Sequence, residues 1–173
     1  ASNPKVVYAL FEIDSPALYR SEDFGDTWKL MTRNHDINER APYYTRMAVS
    51  PTNSEELYFP NVKFSISKDG GKTISGSYSA GGDNHDVWID PKNSDRIMVA
   101  HDGCVSISLN HGKSYQRIVL PIAQMYHVAV DDQIPYNVYG NRQDGYSYKG
   151  PSNSLQGYIP IGLWEGVGGC ESG

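Results

Sequence analysis

A chain of 173 residues is the size of one domain and long enough to bury a core. With 13 Tyr, 3 Trp and 4 Phe beside 17 Gly and 10 Pro, it is too aromatic for a disordered chain and too interrupted for long helices or a coiled coil. Fifteen basic against 20 acidic side chains leave a net charge of −5, no footprint for nucleic acid or an anionic membrane, and no apolar run nears the roughly 20 residues that span a bilayer.

In chain order, Asn3-Pro4-Lys5 is a polar turn feeding a strand over Val6–Ala9. A second alternating stretch, Ala17–Arg20, runs into the octapeptide Ser21-Glu22-Asp23-Phe24-Gly25-Asp26-Thr27-Trp28, and a third strand follows over Trp28–Met31. Thr45–Val49 is the next strand. A Pro51–Glu56 turn then leads into Leu57–Phe59, and Lys63–Ile66 precedes a second octapeptide, Ser67-Lys68-Asp69-Gly70-Gly71-Lys72-Thr73-Ile74. The cycle returns with Asp86–Ile89, the turn Asp90–Asp95, the strands Arg96–Val99 and Val105–Ile107, and Ser108-Leu109-Asn110-His111-Gly112-Lys113-Ser114-Tyr115. A fourth cycle, Tyr126–Val130, Gln133–Gly140 and Tyr146–Tyr148, has no octapeptide.

Ser21, Ser67 and Ser108 open the octapeptides, so the intervals are 46 and 41 residues, the length of one supersecondary unit. The carboxylate or amide oxygen of Asp23, Asp69 or Asn110 suits the turn amides. Gly25, Gly71 and Gly112 supply positive φ, and the hydroxyls of Thr27, Thr73 and Ser114 cap what remains. Trp28, Ile74 and Tyr115 at the eighth position are expected to lie back under the hairpin, each burial contributing about 1.5–3 kcal/mol. These box residues therefore read as structural.

Four short antiparallel strands in roughly 40 residues is the arithmetic of a β-propeller blade, and the fold class expected is all-β. The octapeptides resemble the Asp-box, or BNR, repeat of sialidases, the sortilin luminal domain and xyloglucan-hydrolysing glycosidases. Asp83–Pro91, Asp102–Ser108 and Tyr139–Gly145 resemble the large secreted BNR-repeat proteins described as glycosyl hydrolase-like or sortilin-like. Blade units are expected at about 1–40, 41–82, 83–122 and 123–163, with the start of another at 164–173. Since both ends cut a blade, residues 1–173 read as a segment of a larger propeller; the alternative is a four-bladed ring closed by the last strand. A first residue Ala1 in place of Met fits a processed or excerpted product, and the resemblance implies an extracytoplasmic location, secreted or periplasmic.

Inner strands and their turns line a propeller's channel, which singles out His85, Asp86, His101, Asp102, His127, Arg142, Gln143, Asp144 and Glu171 as ligand-binding candidates. No His-x-His or His-x-x-x-His spacing accompanies them, so no metal and no cofactor is expected. A glycosidase needs two carboxyl groups across its substrate, and Asp86, Asp102, Asp144 and Glu171 are the suppliers. None lies in a motif matching the catalytic carboxylates of the resembled glycosidases, and the sialidase Arg-Ile-Pro motif is absent. Cys104 and Cys170 stand where the resembled proteins usually have glycine, at positions too far apart for a disulfide in a wide ring. Binding or scaffolding of a protein or glycan partner, with other subunits of an assembly as further partners, is the first functional expectation. Glycoside hydrolysis is the second.

Overall fold

The computed structural model describes residues 2–12, 15–119 and 124–168, and they are built mostly of antiparallel strands. The first sheet is β1 (Val7–Phe11), β2 (Ala17–Ser21) and β3 (Lys29–Thr32). The second is β4 (Ala48–Val49), β5 (Leu57–Pro60), β6 (Phe64–Ser67) and β7 (Ser75–Ser77). The third is β8 (Asn84–Ile89), β9 (Ile97–His101), β10 (Cys104–Ser108) and β11 (Gln116–Ile118), and the fourth is β12 (Met125–Val130), β13 (Asn137–Arg142), β14 (Ser147–Pro151) and β15 (Glu165–Gly168). Within every sheet each strand pairs with its neighbour in sequence, so all four are up-and-down meanders. Among the described residues helix is confined to α1 (Ala41–Tyr44) and two single 3-10 turns, in keeping with a sequence too interrupted for long helices. The chain forms two compact units, Ala1–Leu120 with the first three sheets and Pro121–Gly173 with the fourth.

The three octapeptides close β2–β3, β6–β7 and β10–β11 with one hydrogen-bond pattern. The opening serine hydroxyl donates to Oδ1 of the third residue, at 2.6 Å in Ser21–Asp23, 2.9 Å in Ser67–Asp69 and 3.0 Å in Ser108–Asn110. It accepts the amide of Gly25, Gly71 or Gly112 at 2.8–2.9 Å. The same Oδ1 takes the amide of Thr27, Thr73 or Ser114 at 2.9 Å. Positive φ occurs at the fifth position, as anticipated, and also at the fourth: Phe24 at 63°, Gly70 at 70° and His111 at 60°. There the amide donates to a carbonyl of the preceding polar turn, Phe24 to Lys5, Gly70 to Glu55 and His111 to Asp95, at 2.8–3.0 Å. One backbone bond therefore locks each corner onto the polar turn beside it at the same end of its own sheet.

Trp28 corrects one expectation. Its indole N–H donates to the Gly25 carbonyl at 2.8 Å, but the side chain is 44% exposed, so it lids the corner without filling the core. Ile74 and Tyr115 at the same position do pack against cores.

Two apolar clusters separate the three sheets of the first unit. Tyr8 and Leu18 of the first sheet meet Ile37 and the Leu57 and Phe59 side chains of β5. On the opposite face of the second sheet, Tyr58 and Phe64 meet Ile89, Ile97 and Val99 of the third. Period-two alternation explains why every residue of β5 is buried: odd positions feed one interface and Tyr58 the other. Polar staples join the same sheets. Arg20 pairs bidentately with Glu55, and His111 Nε2 sits 2.7 Å from Oε1 of the buried Glu56. Cys104, where glycine is the expected residue, has φ of 117°, a conformation that favours glycine because it spares a Cβ clash. Cys170 lies outside the described residues.

Candidate functional site

The start of β8 collects the largest group of the candidate residues. Asn84, fully buried, anchors it: its backbone amide and its Nδ2 donate to the Asn61 carbonyl at 2.8 and 2.9 Å, and the Asp83 amide donates to the Val62 carbonyl at 3.0 Å. A register shift between Asn84 and Asp86 then turns both His85 and Asp86 toward solvent. His85 Nε2 lies 2.6 Å from Asp102 Oδ1, with the two side chains 46% and 49% exposed. Asp102 is held over β8 by its own amide, which donates to the Asp83 carbonyl at 3.1 Å.

The connection between the first and second sheets supplies the remaining groups. Pro42 in its first turn starts α1, whose last residue, Tyr44, is buried and donates its hydroxyl to Asp83 Oδ1 at 2.8 Å. Its ring stands 5.2 Å from the His85 ring. Burial, followed by the bond to Asp83, pushes the Tyr44 phenol up to about 12, so it stays a donor throughout the physiological range. Arg46 Nη1 lies 3.6 Å from Asp86 Oδ2, an exposed pair that orients both partners while contributing little stability. Tyr43 projects outward beneath the Arg40 guanidinium, 4.5 Å from its ring centroid. Imidazole, carboxylate, guanidinium and phenol are thus presented on one surface, each oriented by a neighbour. Such a set exchanges directional hydrogen bonds with hydroxyl or amide groups of a ligand. Among the described residues no group of three or more His, Cys, Asp or Glu side chains could hold a metal ion.

His101 stands apart from this surface. Only 6% exposed, it accepts the Gly103 amide at Nδ1 (3.1 Å), which leaves Nε2 to donate to Ser106 Oγ at 3.0 Å. Burial, then the Arg117 charge, lowers its pKa from 6.5, keeping the ring neutral. In the second unit His127 is exposed on β12, with its amide bonded to Asn141 Oδ1 at 3.0 Å. The Arg142 guanidinium lies over the Tyr148 ring at 5.9 Å, the Gln143 amide bonds the Gln124 carbonyl at 2.9 Å, and Asp144 occupies the turn with φ of 50°. His127, Tyr139, Asn141 and Tyr148 border a shallow cleft of about 220 Å³. Glu171 lies outside the described residues.

Tyr44 and Asp83 belong to the β8 surface yet are absent from the sequence-derived candidates. Asp83 stands two residues before His85, and that proximity was the available signal. Tyr44 offered only the general capacity of a tyrosine to stack on a sugar ring, because the segment around α1 has neither period.

No family model matches the chain, and no curated protein matches it. Solved structures do. An ancestral GH74 enzyme superposes with a TM-score of 0.57 at 20% identity, over 86% of this chain and 21% of that one. The GH74 enzyme of Niastella koreensis gives 0.52 at 18% identity, over 96% and 28%, and the GH74 xyloglucanase from Xanthomonas campestris 0.50 at 14%, over 90% and 28%. The chain thus spans between about a fifth and just over a quarter of these proteins. At such identities the likeness is one of fold, and the fold that these mostly β, antiparallel sheets share with their neighbours is the β-propeller.

Proposed function

We propose that residues 1–173 are part of an extracytoplasmic Asp-box propeller that serves as a binding or scaffold module, with blade units near 1–40, 41–82, 83–122 and 123–163 and a further one from 164. The partner is a glycan or a protein segment engaged at the start of β8. The observation that carries this reading is the surface on which His85–Asp102 and Arg46–Asp86 are oriented, with the buried Tyr44, bonded to Asp83, packed against the His85 ring. Each carboxylate there already has a donor beside it, an arrangement for holding hydroxyls and amides. The turn-amide bonds common to the three corners support the Asp-box assignment.

A second reading, hydrolysis of a polysaccharide, is favoured by the fold likeness to enzymes one of which is named a xyloglucanase. Asp86 and Asp102 would then be the carboxyl pair offered by this unit, with Asp144 and Glu171 offered by the other. Titration with xyloglucan and β-glucan oligosaccharides separates the two. Binding predicts saturable association, weakened about tenfold by His85→Ala and by Asp102→Asn, with no reducing ends released. Release of reducing ends that Asp102→Asn abolishes would replace binding by hydrolysis, and association indifferent to both substitutions would move the site elsewhere.

A further inference from the structure

Where the outer strands of successive sheets meet the next corner, the fold leaves a cleft, and in the first unit this happens twice. The cleft between the first and second sheets, of about 310 Å³, is lined by Arg20, Trp28, Lys29 and Met31, with Lys72 opposite. The cleft between the second and third sheets, of about 480 Å³, is lined by Ile66, Ile74, Ser75 and Ser77, with Gly112 and Tyr115 opposite. The two are one site repeated, because the corners begin at Ser21 and Ser67. Arg20 is replaced by Ile66, Trp28 by Ile74, Lys29 by Ser75 and Met31 by Ser77.

These exchanges change the chemistry of the site. In the first cleft Arg20 is committed to Glu55 and Glu22, and long side chains occupy the space beside it. In the second, short hydroxyl side chains leave that space open, and Ser77 and Ser79 hold each other at 2.6 Å between their oxygens. The floor is aromatic: Phe64 and Tyr115 meet edge to face, their centroids 6.3 Å apart at 82°. The Tyr115 hydroxyl is buried and makes no hydrogen bond among the described residues, and burial pushes its pKa up to about 12. Gly112 adjoins it so closely that a Cβ there would come within 2.9 Å of the phenol oxygen. Lys68 is the one charged residue among those lining the cleft.

We propose that this rim cleft, between the outer edge of the second sheet and the corner of the third, binds a neutral pyranoside. A pyranose ring has apolar C–H faces for an aromatic floor and a girdle of hydroxyls for a wall of serines, and the cleft falls within the volume of small-ligand sites, about 300–1,000 Å³. The site is separate from the β8 surface and stands whether or not that surface binds glycans.

Titrating the full chain with cellotriose and following backbone amides by NMR tests this. Saturable shifts are expected at Ser75, Ser77 and Gly112. Ser77→Leu, which fills the cleft, and Ser75→Ala, which removes a wall hydroxyl, should each weaken the binding read at these three amides at least fivefold, while any shifts at His85 and Asp102 keep their own affinity. Ser75→Ala, at an exposed position, should also leave the melting temperature unchanged, so its loss of affinity cannot be a folding defect. Absence of saturable shifts, or affinity indifferent to both rim substitutions, overturns the proposal. Saturable shifts confined to His85 and Asp102, with none at the rim, overturn it too and leave the β8 site standing.

Discussion

Asp23, Asp69 and Asn110 form a substitution series within one molecule. All three accept the amide four residues on, but the bond to the seventh side chain reverses: the Thr73 hydroxyl donates to Asp69 Oδ2 at 2.7 Å, whereas Asn110 Nδ2 donates to Ser114 Oγ at 2.8 Å. An amide therefore closes the corner as a carboxylate does. Asp69→Ala, which removes every acceptor, is expected to cost about 1–2 kcal/mol, and Asp69→Asn less than half as much, by thermal unfolding at pH 7. Hydrogen bonds from the Thr73 amide and hydroxyl hold the Asp69 carboxyl near 2, below its ordinary 3.8. A depressed acid contributes stability above its unfolded pKa, so this share is present above about pH 3.8 and lost as pH falls toward 2. Asp69→Asn should lack that part of the acid dependence. An Asn variant as unstable as the Ala variant would show that charge, not geometry, closes the turn. The Ser, Asp, Gly and Thr of the corner were legible because each has a local reason to be there. Phe24 and His111 in a left-handed conformation were not, since only the long-range bonds to Lys5 and Asp95 select it.

At the scale of the element, β9 carries Ile97 and Val99 into the core, and the same two-residue period takes His101 inward with them. The alternation was readable in the sequence, yet a histidine beside an aspartate in a turn draws a functional reading that the strand overrides. Because burial lowers the His101 pKa, the unfolded chain binds the proton more readily than the folded one. Stability from this group is complete above the unfolded value of about 6.5 and falls as pH drops below it. Melting temperature should therefore decline between pH 7.5 and pH 5, a window clear of the aspartates held near 2, and the decline should shrink in His101→Gln. An identical decline in the variant would assign it to other histidines. α1 shows the opposite limit: four residues begun by Pro42 give no periodic signal, and the Tyr44 that they place beside His85 emerges only from the fold.

Across the first unit, the repeat intervals foretold the meanders, while the sequence carried no direct statement of which sheet faces which. That follows from β5, a strand of four residues wedged between two cores. In stacked sheets each interface involves only neighbours, so the middle sheet transmits disturbance between the outer two. Phe59, fully buried, fills the interface with the first sheet, and Phe59→Ala is expected to cost about 3–5 kcal/mol. The spread of that loss is the sharper quantity. Tyr58, between Leu57 and Phe59, points into the other core, and a strand this short cannot loosen on one face and keep its register on the other. Hydrogen exchange should therefore accelerate in β8 and β9 as well as in β1 and β2. Faster exchange limited to β1 and β2 would show two independent interfaces joined by a rigid sheet, and the first unit would then unfold in steps.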